Sequence, residues 1–336
     1  MSLEILDFPA APIDRNLIPT RPFDYPKSWT RGTLKEEDFL YSIPEGCLDE
    51  LHGVVESLRR DPLPTLVLRP EMFDLAACRS FMTDVGRTLT EGTGCAVLDR
   101  LPIDQYSRDE AVAVYWLLGS LIAQPVAQKW NGLMIYDVRD TGAKHGIGVR
   151  GSTTNAELNF HTDNSYALMP PHIIGLLCCQ TALEGGKSKL LSWRTVYNEL
   201  LERCPHLLPR AFETFLYDRN NEHRSDAPKV MRKAPLNIKD DDIQVYFSLT
   251  GIQDGHAMTG QEIDEDGQEL LRAMKDIVAD PEMCVELQFE PGQIQLINNR
   301  VIGHARTGFK DNPDPDRKRH LVRLWFRGEG RISYDG

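Results

Sequence analysis

The residues in this chain best suited to chemistry begin at Leu158-Asn159-Phe160-His161-Thr162-Asp163-Asn164-Ser165, where an imidazole and a carboxylate stand two positions apart. On an extended backbone the side chains at i and i+2 leave the same face. His161 and Asp163 therefore converge on one point while Thr162 turns away. One ring nitrogen and one carboxylate oxygen suit a borderline divalent metal, but two ligands make a poor site. The stretch Asn298-Asn299-Arg300-Val301-Ile302-Gly303-His304-Ala305-Arg306 offers a third in His304, behind a short apolar run. Two histidines and one carboxylate, with the other coordination positions open, form a facial ligand set for Fe(II). A lone His-x-Asp is more often an ordinary hydrogen-bonding pair, so the weight falls on what accompanies it.

The accompaniment is Arg317-Lys318-Arg319-His320-Leu321-Val322-Arg323-Leu324-Trp325-Phe326-Arg327, which alternates charged and apolar residues near its end. Such a pattern predicts a half-buried strand that carries arginines inward. Arg319 and Arg323 differ by four positions and share a face. A buried guanidinium needs an anionic partner.

With these residues in place the chain resembles the taurine dioxygenase/TfdA-like family of Fe(II)- and 2-oxoglutarate-dependent oxygenases. The resemblance rests on His161-Thr162-Asp163, on Gly185-Gly186-Lys187-Ser188, on the block from Asn298 to Arg306, and on Arg319-His320-Leu321-Val322-Arg323-Leu324-Trp325, in that order. It runs from about residue 92 to 327. It implies that His161, Asp163 and His304 hold Fe(II), that 2-oxoglutarate takes two open positions, and that dioxygen takes the last. The cosubstrate is then decarboxylated to succinate as a substrate C–H bond is oxidised. Arg319 is the expected clamp for the distal carboxylate of 2-oxoglutarate, since a guanidinium binds carboxylates bidentately. Ser188 stands where the family carries an assisting hydroxyl, most often Thr. Arg323 is the expected contact to an anionic substrate, with a structural ion pair as its equal rival. Asn159 and Gln128 join the substrate-lining set by adjacency alone. Because Asp163 is a carboxylate where related halogenases carry a small residue, hydroxylation or a related outcome (desaturation, ring closure, demethylation) is expected over halogenation.

Two other readings compete. A zinc-dependent hydrolase would use the same three ligands with a bound water, but would need neither Arg319 nor Ser188. A non-catalytic jelly-roll binding protein would leave the three ligands without a metal.

Composition sets the bounds around this chemistry. The chain has 336 residues, 41% of them hydrophobic, and a formal net charge of −12. That balance argues against a nucleic-acid partner, which calls for basic stripes, and leaves room for a local basic pocket. A small, carboxylate-bearing molecule is the expected substrate, and a homo-oligomer stays open. Seven cysteines without C-x-x-C spacing form neither a disulfide framework nor a zinc ribbon. Met1 to Asp7 lacks the basic and apolar regions of a secretory signal, and no apolar run has membrane-span length. A cytoplasmic location fits.

The elements that must position the ligands follow from periodicity. Residues 1–35 contain five prolines and read as an extended arm pinned by Phe23 and Trp29. The rest, 36–336, reads as a single catalytic domain. Three- and four-residue apolar spacing predicts helices over 45–60 and 74–90, and the capping-box spacing at Ser107-Arg108-Asp109-Glu110 opens a third. Gly92-Thr93-Gly94 precedes a strand, 95–98, so a dinucleotide loop is excluded by context. Residues 140–156 suit a loop beside the metal. Strands are predicted at 133–136, 172–180, 188–192, 243–247 and around the Pro291-Gly292 turn. Helices are predicted over 194–217, broken at Pro205, and over 265–279, with a polar span at 218–242. His145, His172, His223 and His320 lack ligand-like spacing and read as structural, with His206 and His256 in loops. Many short strands separated by Pro and Gly favour a mainly β, α+β fold. The resemblance sharpens this to a double-stranded β-helix, a jelly-roll barrel, with N-terminal helices and a helical insertion over about 194–280.

Overall fold

Leucine- and isoleucine-rich runs become the centre of a seven-stranded sheet, and the polar-apolar alternations become its site-facing strands. The computed structural model describes residues 4–8, 14–144, 146 and 149–334. In chain order the framework strands are β1 (Leu40–Ser42), β2 (Cys95–Asp99), β3 (Gln124–Val126), β4 (Tyr136–Val138), β5 (Leu158–His161), β6 (Ile173–Gln180), β7 (Ser188–Ser192), β8 (Val285–Leu287), β9 (Ile294–Asn298), β10 (Ile302–Arg306) and β11 (His320–Arg327). The larger sheet runs β1-β2-β9-β6-β11-β3, with β4 also on β11. The smaller runs β8-β7-β10-β5. The architecture is mainly sheet with several helices.

Three helices, α1 (Glu45–Arg60), α2 (Ala76–Thr90) and α3 (Arg108–Ser120), cover the larger sheet. In α1 the buried residues are Cys47, Leu51, Val54 and Val55, one stripe of a helix. Burying a side chain such as Leu51 contributes roughly 1.5–3 kcal/mol. Ser107 and Glu110 cap α3 reciprocally. That helix lies so close to β11 that a Cβ at Gly119 would fall 2.1 Å from Phe326, which seats β11 and the arginines it carries.

Between β7 and β8 lies a second apolar core, built on α4 (Trp193–Arg203), α5 (Leu208–Ala211), α6 (Leu249–Thr259) and α7 (Glu265–Ala279). Here the structure corrects the sequence reading. The helical stretch expected over 194–217 ends at Ala211, and Phe215–Asp218 is a strand paired with Val230–Lys233. Leucine spacing suggested a helix there, but four consecutive buried residues fit a strand packed on both faces. The polar span 218–242 also holds the strand Leu236–Lys239, paired with Asp242–Val245. Helix α6 escaped the periodicity analysis because it buries only Ile252 and Gly255. His256 therefore sits on a helix instead of in a loop. The strand expected at 133–136 is displaced to β4, and the one before the Pro291 turn to β8.

In the N-terminal stretch, Ile5–Asp7 pairs in parallel with Val230–Arg232. Trp29 is buried, with its indole N–H on the Thr93 carbonyl, and the Phe23 backbone bonds the Asn198 side chain. Pro9 and Pro12 of that stretch, and His145, lie outside the described residues. Among the described residues no helix is long and apolar enough to cross a membrane.

Candidate active site

Strand pairing brings the two histidines together. His304, in the middle of β10, is the direct partner of His161 at the end of β5, and their ring centroids lie 4.3 Å apart. Asp163 follows two residues after His161, where four hydrogen bonds fix the chain. The Thr162 N–H bonds the Phe247 carbonyl at 2.9 Å, and the Thr162 hydroxyl accepts the Phe247 N–H at 3.0 Å. The Asn299 side chain accepts the Asp163 N–H at 2.7 Å and donates to the Asp163 carbonyl at 3.0 Å. Asn164 then turns the chain with φ 57°, a left-handed conformation that Asn tolerates. Thr162 thus faces away from the pair, held by the insertion core.

The carboxylate of Asp163 divides its oxygens between two tasks. Oδ2 accepts Arg323 Nη1 at 2.8 Å and Trp325 Nε1 at 3.0 Å. Oδ1 lies 3.5 Å from Nε2 of both His161 and His304. Burial pushes the carboxyl pKa up, but the Arg323 charge and the hydrogen bonding at the carboxylate outweigh it and hold the group well below the usual carboxylate range. Burial, with the neighbouring His161, lowers the pKa of His304. His161 donates Nδ1–H to the Asn159 carbonyl at 2.8 Å, which leaves Nε2 with its lone pair turned inward. An ionised carboxylate and neutral imidazoles are the states a divalent metal requires. Ligand atoms of all three residues lie within 4.8 Å of one another.

The three face a cavity of about 240 Å³ that is also lined by Ser188, Arg319 and Arg323. Arg319 is 4% exposed. Its backbone N–H bonds Asp311 and its guanidinium lies 5.1 Å from the Phe309 ring, yet Nη1 has no partner. Burial lowers its pKa to about 10, so it stays charged at neutral pH. Gly186 lies against it with φ +69°, and a Cβ there would fall 3.0 Å from Arg319 Nε. The glycine pair of Gly185-Gly186-Lys187-Ser188 therefore does two things: it makes a turn and it leaves room for the guanidinium. Ser188 is buried, donates to Gln295 Oε1 at 2.8 Å, and pairs with Arg306 across β7 and β10. A buried cation with an unused donor, in one cavity with a facial ligand set, fits a chelating anion that reaches from the metal to Arg319.

The remaining sequence candidates are placed less directly. Arg323 lines the cavity, but Nη1 is on Asp163 and Nε is on Gln128 Oε1 at 2.8 Å. Gln128 is fully buried behind it, with Nε2 donating to the carbonyls of Arg323 and Met134, so its side chain backs the wall instead of lining it. Asn159 lines the cavity and serves His161 through its backbone carbonyl. His320 bonds Asp137 at 2.7 Å, away from the ligands. Sequence reasoning gave no role to Trp325 or Asn299. Trp325 had a signal, since it continues the every-second-residue series of Arg319, Leu321 and Arg323. The Asn299 clamp spans |i−j|=136 and had none.

The sheets and the His-Asp-His centre define an Fe(II)- and 2-oxoglutarate-dependent oxygenase. Residues 60–325 match the family described as taurine catabolism dioxygenase TauD, TfdA family, and the chain belongs to that family. It is 27% identical over 307 residues to FR-33289 synthase of Streptomyces rubellomurinus, covering 90% of this chain and 89% of that protein. Taurine hydroxylase-like protein SAT17 of Stachybotrys chartarum is 26% identical over 304 residues, 86% of this chain and 75% of that one. Among solved structures, asparagine oxygenase with Fe(II), 2S,3S-3-hydroxyasparagine and succinate superposes with a TM-score of 0.64 at 18% identity, covering 86% and 93% of the two chains. The non-heme iron oxygenase OrfP with Fe and alpha-ketoglutaric acid gives 0.63 at 15% identity, covering 86% and 94%.

Proposed function

We propose that this oxygenase oxidises an aliphatic C–H bond of a small, polar, anion-bearing molecule, with hydroxylation as the basic outcome. His161, Asp163 and His304 hold ferrous iron in this assignment, and Arg319 with Ser188 receives the distal carboxylate of 2-oxoglutarate. Iron, cosubstrate and dioxygen together supply an oxidising power that side chains lack. The chain's own residues do the positioning. Arg323 and Trp325 occupy Asp163 Oδ2 and so present Oδ1 alone to the metal. Asn159 sets the tautomer of His161 through its carbonyl. The observation that carries the assignment is the buried Arg319 donor without a partner, beside Gly186 and in the same cavity as the ligands. A zinc hydrolase would have no use for it.

The substrate class draws on the relatives: hydroxyasparagine in the asparagine oxygenase complex and (3S)-hydroxy-L-Arg in OrfP complexes are small polar molecules. We further assign the two sheets as the halves of a double-stranded β-helix, residues 1–35 as an arm, and 36–336 as one catalytic domain with its insertion. A cytoplasmic setting is part of the same proposal, on the cysteine spacing of the sequence. The test is succinate release from 2-oxoglutarate by Fe(II)-loaded protein across amino acids, sulfonates and other small acids. Iron-dependent succinate formation stimulated by one member supports the assignment. Failure to form succinate under any condition, with iron bound, refutes it.

A further inference from the structure

Away from the iron centre, the helices that cover the larger sheet bring two thiols face to face. Cys47 lies in the first turn of α1 and Cys78 in the first turn of α2, 31 residues further on. Both are fully buried in the core beneath those helices, and their sulfurs lie 2.6 Å apart. The Cys78 sulfur is also 3.3 Å from the Cys47 carbonyl oxygen. The residues just before them are in contact too, since a Cβ at Gly46 would sit 3.6 Å from that of Ala77.

Helix α2 has no side-chain cap of its own. Glu50 of α1 supplies one: Oε1 accepts the Ala77 N–H at 2.7 Å and Oε2 accepts the Cys78 N–H at 2.8 Å. A carboxylate at a helix N-terminus satisfies orphan N–H groups and complements the dipole. Here it also ties the backbone of Cys78 to the helix that carries Cys47. A disulfide needs side chains that point at one another from suitably spaced backbones, and the Glu50 bridge holds that arrangement while both residues are thiols. Cys178 and Cys179, neighbours in β6, offer the contrast, because successive strand side chains leave opposite faces. Two small apolar residues would fill the space between α1 and α2 equally well. The mutual aim of the sulfurs is what packing alone does not call for.

We propose that Cys47 and Cys78 are a redox-responsive pair that closes to a disulfide and pins α1 to α2. The oxidant is a low-molecular-weight disulfide. One cysteine thiolate attacks it, giving a mixed disulfide and releasing one thiol. The second cysteine displaces the other half, so the Sγ–Sγ bond forms, the external S–S bond breaks, and both cysteine protons end on the two released thiols. The pair loses two electrons and the external disulfide gains them. The adjacent Cys47 thiol, burial and the Glu50 carboxylate push the Cys78 thiol well up, so exchange proceeds as the helix starts open and not in the closed core. In a reducing compartment the pair stays as thiols, and oxidation of the thiol pool closes it.

The test equilibrates the full-length protein anaerobically with oxidised and reduced glutathione at a series of ratios, in urea just below the unfolding transition. The protein is then denatured with an alkylating agent and mapped by proteolysis and mass spectrometry without reduction. At the oxidising end the peptides carrying Cys47 and Cys78 should appear joined, two hydrogen atoms lighter than their sum, with Cys95, Cys178 and Cys284 alkylated. Excess reduced glutathione should separate them again. Because the bond constrains the unfolded chain, the oxidised protein should unfold roughly 3–10 °C above the reduced protein. Cys47→Ala should show neither the joined peptide nor the shift, and if that variant fails to fold the wild-type map alone decides. Both cysteines alkylated at every ratio, either one joined to a different cysteine or left carrying glutathione, or an oxidised protein with an unaltered midpoint overturns the proposal. None of these readouts depends on iron or 2-oxoglutarate, so the outcome is separate from that of the oxygenase assignment.

Discussion

Arg319 and Arg323 stand four residues apart on one face of the same stretch, and folding treats them in opposite ways. Around Arg323 the fold is finished: Nη1 meets Asp163, Nε meets Gln128, and its carbonyl accepts the Gln128 amide. At Arg319 the fold stops short, leaving Nη1 buried without a partner beside Phe309 and Gly186. A satisfied charge pair rigidifies a ligand, whereas an unsatisfied buried charge is stable only with an anion to meet it. In the proposed assignment, the difference separates a part that holds a metal ligand from a part that awaits a molecule.

The largest expected effect comes from breaking the finished side. Asp163→Ala removes a ligand and strands Arg323, so iron retention and turnover should be lost. Stability should fall by about 3–5 kcal/mol, the usual result of leaving one buried partner uncompensated. Metal content after gel filtration and denaturant unfolding check both parts, and full turnover with bound iron would mean the centre is misassigned. Next is Arg319→Ala. It should raise the 2-oxoglutarate requirement by roughly 30-fold or more, the low end of about 2–5 kcal/mol for truncating a charge partner. In the absence of cosubstrate the same change should leave the unfolding midpoint unchanged or higher. An unchanged requirement would remove Arg319 from the site.

A smaller effect is expected from Trp325→Phe, which deletes one hydrogen bond to Asp163 Oδ2. Outer-shell changes of this kind weaken metal affinity by about 10–100-fold, and competition with a chelator would measure it; the 2-oxoglutarate requirement at saturating iron should barely move. Ser188→Ala should be the mildest. Losing one neutral hydrogen bond costs about 0.5–1.5 kcal/mol, to be read as a shift in the 2-oxoglutarate requirement of roughly tenfold or less. If Ser188→Ala proved as severe as Arg319→Ala, the hydroxyl would be a principal anchor and the contrast between the two arginines would need redrawing.

Much of the centre was legible in the sequence because it depends on local rules. The two-residue spacing of His161 and Asp163, and the alternation from Arg319 to Trp325, are properties of strands that no tertiary contact is needed to see. The helices α1, α2 and α7 announced themselves through one-sided apolar spacing. What stayed hidden depends on contacts between distant segments. That Gln128 sits behind Arg323 follows from bonds spanning |i−j|=195, and Phe215–Asp218 becomes a strand because Val230–Lys233 pairs with it. The role of Gly186 emerged only once Arg319 was seen against it.

Most directly, the account is tested by titrating the anaerobic, Fe(II)-loaded protein with 2-oxoglutarate and following the visible charge-transfer absorption of a 2-oxo acid chelated to ferrous iron. We predict that wild type develops the band saturably, that Arg319→Ala needs far more 2-oxoglutarate to reach it, and that Asp163→Ala does not develop it. Wild type with bound iron and no band at any 2-oxoglutarate concentration would contradict the assignment of His161, Asp163, His304 and Arg319 to one working site.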